Sequence, residues 1–264
     1  MIPSISSMKE AFDLKGKNAI VTGGNGGIGL GIAKALAECG VNIAIFCRNM
    51  DKAKAALEEL GGFGGKYKAF ACDITDLKNV MEVTKTAFDE FGSIEILINN
   101  SGVAGGGKFL DMDPDFSAWN FVIDTDLTGM AHVTYAVGRL MRDAGKGGTI
   151  INITSNAGAI VNKGVEISPY AVAKAAANHF TRCMAVEFGE YDIRVNAIAP
   201  GFTRAGFGAD SPPAVVELVK AQQPLKRMGE AIEIGAMAVF LSSQAAAHIT
   251  GEVITVDGGY TLSC

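Results

Sequence analysis

The chain is poor in the residues that build metal centres and covalent frames. Its three histidines, His132, His179 and His248, stand isolated and read as packed or surface side chains rather than ligands. Its five cysteines (Cys39, Cys47, Cys72, Cys183 and Cys264) are scattered, odd in number and form no C-x-x-C pair, so neither a disulfide frame nor zinc is indicated. A basic excess is missing too. The net charge of −5 argues against nucleic acid as the main partner. No run of about 18 apolar residues suggests a membrane span. The opening M-I-P-S-I-S-S-M-K-E lacks the basic-then-apolar pattern of a secretory signal. The expectation is a soluble, cytoplasmic protein with a small-molecule partner.

What is present favours one large α/β domain. The chain has 264 residues, 48% hydrophobic and 19% charged, enough for a sizeable core. Residues 1–13 read as a loose leader, and 14–264 as a single dinucleotide-binding catalytic domain. Residues 17–22 are a short apolar run followed by the glycine turn 23–29 and a helical pattern. A strand, a glycine turn and a helix make a pyrophosphate site. The glycines admit the backbone closely, and the helix N-terminus offers unpaired N–H groups. Gly23, Asn25, Gly27, Ile28 and Gly29 are the candidates there.

Strands are expected at 41–47, 66–71 and 94–98, with helices at 50–60 and 77–91 between them. Four such alternations predict a parallel sheet with helices on both faces, a Rossmann-like doubly wound fold. Ligands bind such sheets at the C-terminal strand ends. At the tip of the second strand a carboxylate would bond the ribose 2′-hydroxyl, whereas an arginine would accommodate a 2′-phosphate. The chain has Cys47 and then Arg48-Asn49. That points to NADP(H), with NAD(H) kept open because Arg48 could equally be a solvated loop cation. Asp73 and Ile74 follow the third strand. Asp73 could bond the adenine amino group or cap the helix beginning near Leu77. Asn100 and Gly102 close the fourth strand, and the glycine-rich 102–107 is expected to be flexible.

Further helices are expected over 116–141, with a kink near Gly129, and over 169–187. The first of these two is followed by a fifth strand ending near Ser155. A sixth strand stops at Pro200-Gly201, and a mobile lid is expected over about 202–222. On helix 169–187, Tyr170 and Lys174 are i and i+4 and share a face. Pro169 suits the first turn. A neighbouring cation favours the phenolate, so the phenol can exchange a proton near neutrality. With the hydroxyl of Ser155 arriving from the strand, the three suit polarising a carbonyl or deprotonating an alcohol.

These pieces occur in one order. Thr22-Gly-x-x-x-Gly-x-Gly29, Cys72-Asp-Ile-Thr75, Asn99-Asn-Ser-Gly102, Ile153-Thr-Ser155, Tyr170-x-x-x-Lys174, Arg194-Val-Asn-Ala-Ile-Ala-Pro-Gly201 and Asp257-Gly-Gly259 together resemble the compact short-chain dehydrogenase/reductase family. The resemblance implies about seven parallel strands, and a homotetramer or homodimer formed through helices 116–141 and 169–187 and the C-terminal strand. Tyr170 would be the acid/base, Ser155 would bond the substrate oxygen, and Lys174 would hold the nicotinamide ribose. Asn100 would contact the adenosine-side ribose, and residues after Pro200-Gly201 the nicotinamide carboxamide. Three positions depart from the family pattern. Asp126 replaces the fourth catalytic residue, an asparagine, and is expected either to hold a relay water or to offset the charge of Lys174. Ser101 replaces an alanine. Ala205 replaces a threonine, leaving Thr203 as a candidate carboxamide contact.

For the substrate, Phe202, Phe207, Val215, Val216 and Leu218 in the lid, with Met112, Ile160, Val161 and Val165, suggest an apolar body such as a steroid or bile acid. Lys163 and Arg204 are candidate partners for a distal carboxylate. A polyol or sugar acid bound through Asn156, Asn162 and Lys163 is the runner-up. A 3-ketoacyl thioester and a non-catalytic NADP sensor stand behind it.

Overall fold

The computed structural model describes residues 7–161, 165–209 and 211–263, apart from the side chains of Phe207 and Leu218. Seven strands form one parallel sheet: β1 (Asn18–Thr22), β2 (Asn42–Cys47), β3 (Tyr67–Ala71), β4 (Ile96–Asn99), β5 (Gly148–Ile153), β6 (Ile193–Pro200) and β7 (Val253–Val256). Their spatial order is β3-β2-β1-β4-β5-β6-β7. The order reverses between β1 and β4, which is where a doubly wound sheet opens its ligand crevice.

The central strands are buried on both faces, so they read as continuous apolar runs. Alternate residues serve opposite layers. Ala19, Val21, Ile43, Ile45, Ile96 and Ile98 pack with α2 (Gly27–Glu38), α3 (Met50–Leu60) and α9 (Ala231–Ser242). Ile20, Ala44, Phe46, Leu97 and Ile150 pack with α4 (Leu77–Phe91), α6 (Gly129–Ala144) and α7 (Ser168–Phe188).

The segment expected to be a loose leader holds a short helix, α1 (Met8–Ala11), whose Glu10 N–H is accepted by Ser7. Ala11 and Leu14 are buried, and the Phe12 ring meets Phe240 of α9. The helix expected over 116–141 is three pieces: α5 (Ser117–Ile123), a π-helical turn (Asp124–Thr128) and α6. The irregularity is thus a π turn just before Gly129. The segment expected to be a lid holds a 3-10 turn (Gly206–Gly208) and α8 (Pro213–Gln222). Among the described residues, no helix is long and apolar enough to cross a membrane.

Candidate active site

A cleft of about 690 Å³ crosses the C-terminal strand ends. It is lined by Gly23, Asn25, Gly27, Ile28, Arg48, Asn49, Asp73, Ile74, Asn100, Gly102, Asp126, Ser155, Tyr170, Lys174, Pro200, Gly201 and Thr203. Of the predicted catalytic and cofactor-binding residues only Gly29 is outside this lining. Its role is close packing, since a Cβ there would lie 2.4 Å from Gly23 O and from Asn100 Nδ2.

The glycine turn is stitched to the β4 end. Thr22 Oγ1 accepts the N–H groups of Asn100 and Ser101, each at 2.9 Å. Asn100 Nδ2 donates to Thr22 O at 3.0 Å. Asn100 therefore braces the turn, a task the ribose expectation did not include. Helix α2 starts at Gly26 with no side-chain cap, which leaves its first N–H groups for a ligand. These features fit a dinucleotide pyrophosphate. Gly206 of the lid rests on the turn, so that a Cβ on Gly27 would lie 3.0 Å from Gly206 Cα.

At the β2 tip, Asn49 caps α3 by accepting the Lys52 N–H at 2.9 Å. Asn25 Nδ2 donates to Asn49 O at 3.2 Å, tying the glycine turn to this corner. Arg48 and Lys52 both line the cleft. Asp73 Oδ1 accepts from Thr75 N at 3.0 Å and from Thr75 Oγ1 at 2.8 Å. Those bonds, led by the Thr75 backbone and helped by the charge of Arg48, hold the Asp73 carboxyl below the usual aspartate range. The helix cap considered for Asp73 belongs to Asp76, which accepts the Asn79 N–H at 3.1 Å. Ile74 is buried, and its carbonyl bonds His132 Nδ1 at 3.0 Å, so His132 is a structural histidine.

The chemistry-bearing groups meet at the β4–β5 end. Ser155 is buried, and its Oγ accepts the Ala157 N–H at 3.1 Å. Its nearest side-chain acceptor is Asn156 Oδ1, at a long 3.5 Å. On α7, Lys174 Nζ lies 5.4 Å from the Tyr170 ring centroid. Nζ also donates to Ile153 O at 3.3 Å and pairs with Asp126 Oδ2 at 3.0 Å. The contact with Asp126 is an ion pair, not an aligned hydrogen bond. Asp126 comes from the π turn, a form of helix that often marks functional positions.

Loop 102–107 is pinned rather than loose. Gly107 N–H donates to Glu166 O at 2.8 Å, and a Cβ on Gly106 would lie 2.3 Å from that same oxygen. Its glycines serve close approach. Thr203 Oγ1 turns back to donate to Gly201 O at 3.0 Å, which leaves the hydroxyl's lone pairs free to face the cleft.

The cleft is also lined by the apolar Val103, Ala104, Ala157, Val165, Ile167 and Phe202, with Asn156 and Ser211. Of the apolar residues expected there, Val165 and Phe202 line the cleft. Ile160 and Val161 line a neighbouring groove that shares Ala157, Val165 and Ile167 with it. Met112, Val215 and Val216 line neither. Arg204 pairs with Glu230 at 3.1 Å instead of facing a substrate. Asn162 and Lys163 lie outside the described residues. Sequence reasoning missed Thr22, Lys52 and Val103. Thr22 stood inside the glycine motif, and Lys52 one helical turn past Arg48. Val103 acts through its backbone, which leaves no signal in a side chain.

A crevice at the strand reversal, an open helix N-terminus over a glycine turn, and a serine, tyrosine and lysine on one wall define an oxidoreductase acting on CH–OH groups with a nicotinamide cofactor. Comparison agrees: the family model described as enoyl-(acyl carrier protein) reductase matches residues 23–261. The chain belongs to the short-chain dehydrogenase/reductase family. It is 36% identical to the sorbose reductase of Candida albicans, over 97% of this chain and 91% of that one. A short-chain type dehydrogenase/reductase from Mycobacterium marinum superposes with a TM-score of 0.92 at 36% identity, covering 97% and 99% of the two chains. A 7α-hydroxysteroid dehydrogenase solved with NADH and 7-oxoglycochenodeoxycholic acid gives 0.89 at 33% identity, covering 96% and 97%.

Proposed function

We propose that the protein interconverts a secondary alcohol and a ketone with NADP(H), on a substrate with a largely apolar body such as a hydroxysteroid or bile acid. The observation that carries this is the placement of Tyr170, Lys174 and Ser155 on one cleft wall, beside an apolar pocket. The bound nicotinamide supplies the two-electron redox chemistry, and the protein supplies orientation and the proton. Ser155 Oγ already accepts from the Ala157 N–H, and its O–H can turn from the long contact with Asn156 Oδ1 to donate to the substrate oxygen. The Tyr170 phenol gives its proton to that oxygen in reduction and takes one from the alcohol in oxidation. Lys174, held by Ile153 O and Asp126, keeps positive charge beside the phenol and hydroxyl donors near the nicotinamide ribose. Gly23, Asn25, Gly27 and Ile28 hold the pyrophosphate, Asp73 and Ile74 the adenine, and Pro200, Gly201 and Thr203 the carboxamide.

The NADP preference rests on Cys47, where a ribose-binding acid would stand, and on Arg48 and Lys52 at the same corner. The likeness to sorbose reductase favours a second reading, a polyol or sugar acid, for which Asn156, Ser155 and Ser211 are among the polar groups of the cleft. Self-association through α5–α7 fits the exposure of Phe121, Tyr135, Val172 and Val186 on these helices.

The test is turnover on steroid and bile-acid ketones, sugar ketones and acetoacetyl thioesters, each with NADPH and NADH. We expect turnover of a steroid or bile-acid ketone and a kcat/KM at least about tenfold higher with NADPH, as a charge-assisted contact gives. Tyr170→Phe is expected to lose at least about a hundredfold in kcat. A Tyr170→Phe protein as fast as the parent would sink the reading.

A further inference from the structure

Asp126 stands where the family pattern has an asparagine, and its two carboxylate oxygens have different partners. Oδ1 accepts the Val103 N–H at 2.7 Å. Oδ2 lies 3.0 Å from Lys174 Nζ, with both side chains buried. Gly102 seals the pair: a Cβ there would lie 3.0 Å from Oδ2 and 3.3 Å from Nζ. The carboxylate therefore meets the amine directly.

We propose that Asp126 is a positioning residue with two separable tasks. Oδ1 fixes Val103, and with it the apolar loop wall that faces the substrate. Oδ2 fixes Lys174 and offsets its charge beside Tyr170. The inference rests on the catalytic reading of Tyr170 and Lys174 above.

The loop task follows from where loop 102–107 is tied. One end hangs on Asp126 Oδ1 and the other on Glu166 O. Val103 and Ala104, between the ties, line the cleft along with Ser155 and Tyr170. Losing the first tie frees the stretch that shapes the substrate end, while the cofactor end keeps its own bonds through Thr22 and Asn100.

The charge task follows from what faces the pair. The π turn contributes Asp126, and α7 contributes Lys174 and Tyr170. Strand β5 and its end contribute the Ile153 carbonyl and the Ser155 hydroxyl, and the loop contributes the Val103 N–H. Among the described residues, the other charged ones lining the cleft are Arg48, Lys52 and Asp73, around the β2 and β3 ends. A carboxylate touching the amine therefore opposes the amine's support of the phenolate.

Two variants separate the tasks. Asp126→Asn keeps an acceptor for Val103 and removes the charge; Asp126→Ala removes both. For Asp126→Asn we expect the pH profile of alcohol oxidation to move about one unit toward acid, with substrate KM within about twofold of the parent. For Asp126→Ala we expect the same acid shift and a substrate KM raised about tenfold. Should Asp126→Ala fail to fold, Val103→Pro, which lacks the N–H, should raise KM alone.

A substrate-free readout uses ultraviolet titration of the phenolate, taken as each protein minus its Tyr170→Phe partner. The transition should move toward acid in Asp126→Asn. Superimposable titrations in folded parent and Asp126→Asn overturn the charge task. An unchanged KM in Asp126→Ala, or in Val103→Pro, overturns the loop task. Full activity in Tyr170→Phe would instead discard the catalytic reading, while the titration would still report on the pair.

Discussion

On one face of the sheet, α2, α3 and α9 cover the strands with apolar side chains such as Ile32, Leu36, Leu60, Ile234 and Leu241. On the other, α6 and α7 cover β4 and β5 with a chain of buried polar groups among the apolar ones. Asn99 Nδ2 donates to Thr134 Oγ1 and to Asn152 Oδ1, Asn152 Nδ2 donates to Thr181 Oγ1, each at 2.9 Å, and the Asp126–Lys174 pair lies nearer the cleft. Around Ile32, Leu36 and Leu60 the α2 face gains chiefly from burial and tolerates repacking of similar volume. The α6–α7 face depends in addition on these directed polar bonds. That is a stricter demand, and it falls on the elements that carry Asp126, Tyr170 and Lys174.

The comparison can be broken most sharply at the pair. Lys174→Met leaves the Asp126 carboxylate buried without a counter-charge, and should lower the free energy of unfolding by about 3–5 kcal/mol in urea melts. A loss under about 1 kcal/mol would mean the pair adds no strictness. Next is the polar chain. Asn152→Leu removes the donor to Thr181 Oγ1 and an acceptor of Asn99 Nδ2, and should cost about 1–3 kcal/mol even though Thr181 keeps its bond to Ala177 O. Adding Thr181→Val should recover part of that, since it takes away the hydroxyl facing the new leucine. Strictly additive losses would show the two residues to be independent.

The smallest effect concerns Cys72. Burial first, then the charges of Asp73, Cys47 and Asp76, push its thiol from 9.0 up to about 12. The unfolded chain releases this proton near 9 and the folded chain keeps it, so its contribution is whole below 9 and is lost as pH rises toward 12. The melting temperature should therefore fall less steeply over that alkaline range in Cys72→Ala. Equal slopes would remove Cys72 from the account.

Much of this was legible in the sequence, because local pattern and global fold agree there. Continuous apolar runs gave the strands, and glycines between strand and helix gave the pyrophosphate turn. The i, i+4 spacing of Tyr170 and Lys174 survived intact, since it depends only on α7 being a helix. What escaped depends on tertiary contact. Residues 124–128 carry an ordinary helical pattern, and only packing against Lys174 and Val103 shows why the backbone widens there. Asp73 and Asp76 are equally good caps by type, and the fold chose between them. The lid's apolar residues were assigned to the substrate by composition, yet Val215 is exposed and away from the cleft. Composition does not say which way a helix turns.

The widened turn at Asp124–Thr128 has a consequence for the whole of α6. Each residue of a helix advances the azimuth by about 100°. Removing one residue to restore ordinary winding would swing everything downstream by that angle. Val133, Thr134 and Val137 would leave the sheet, and the outward side bearing Arg139 would be driven toward it. The insertion therefore keeps a helix seated whose own pattern could not seat it from α5 alone.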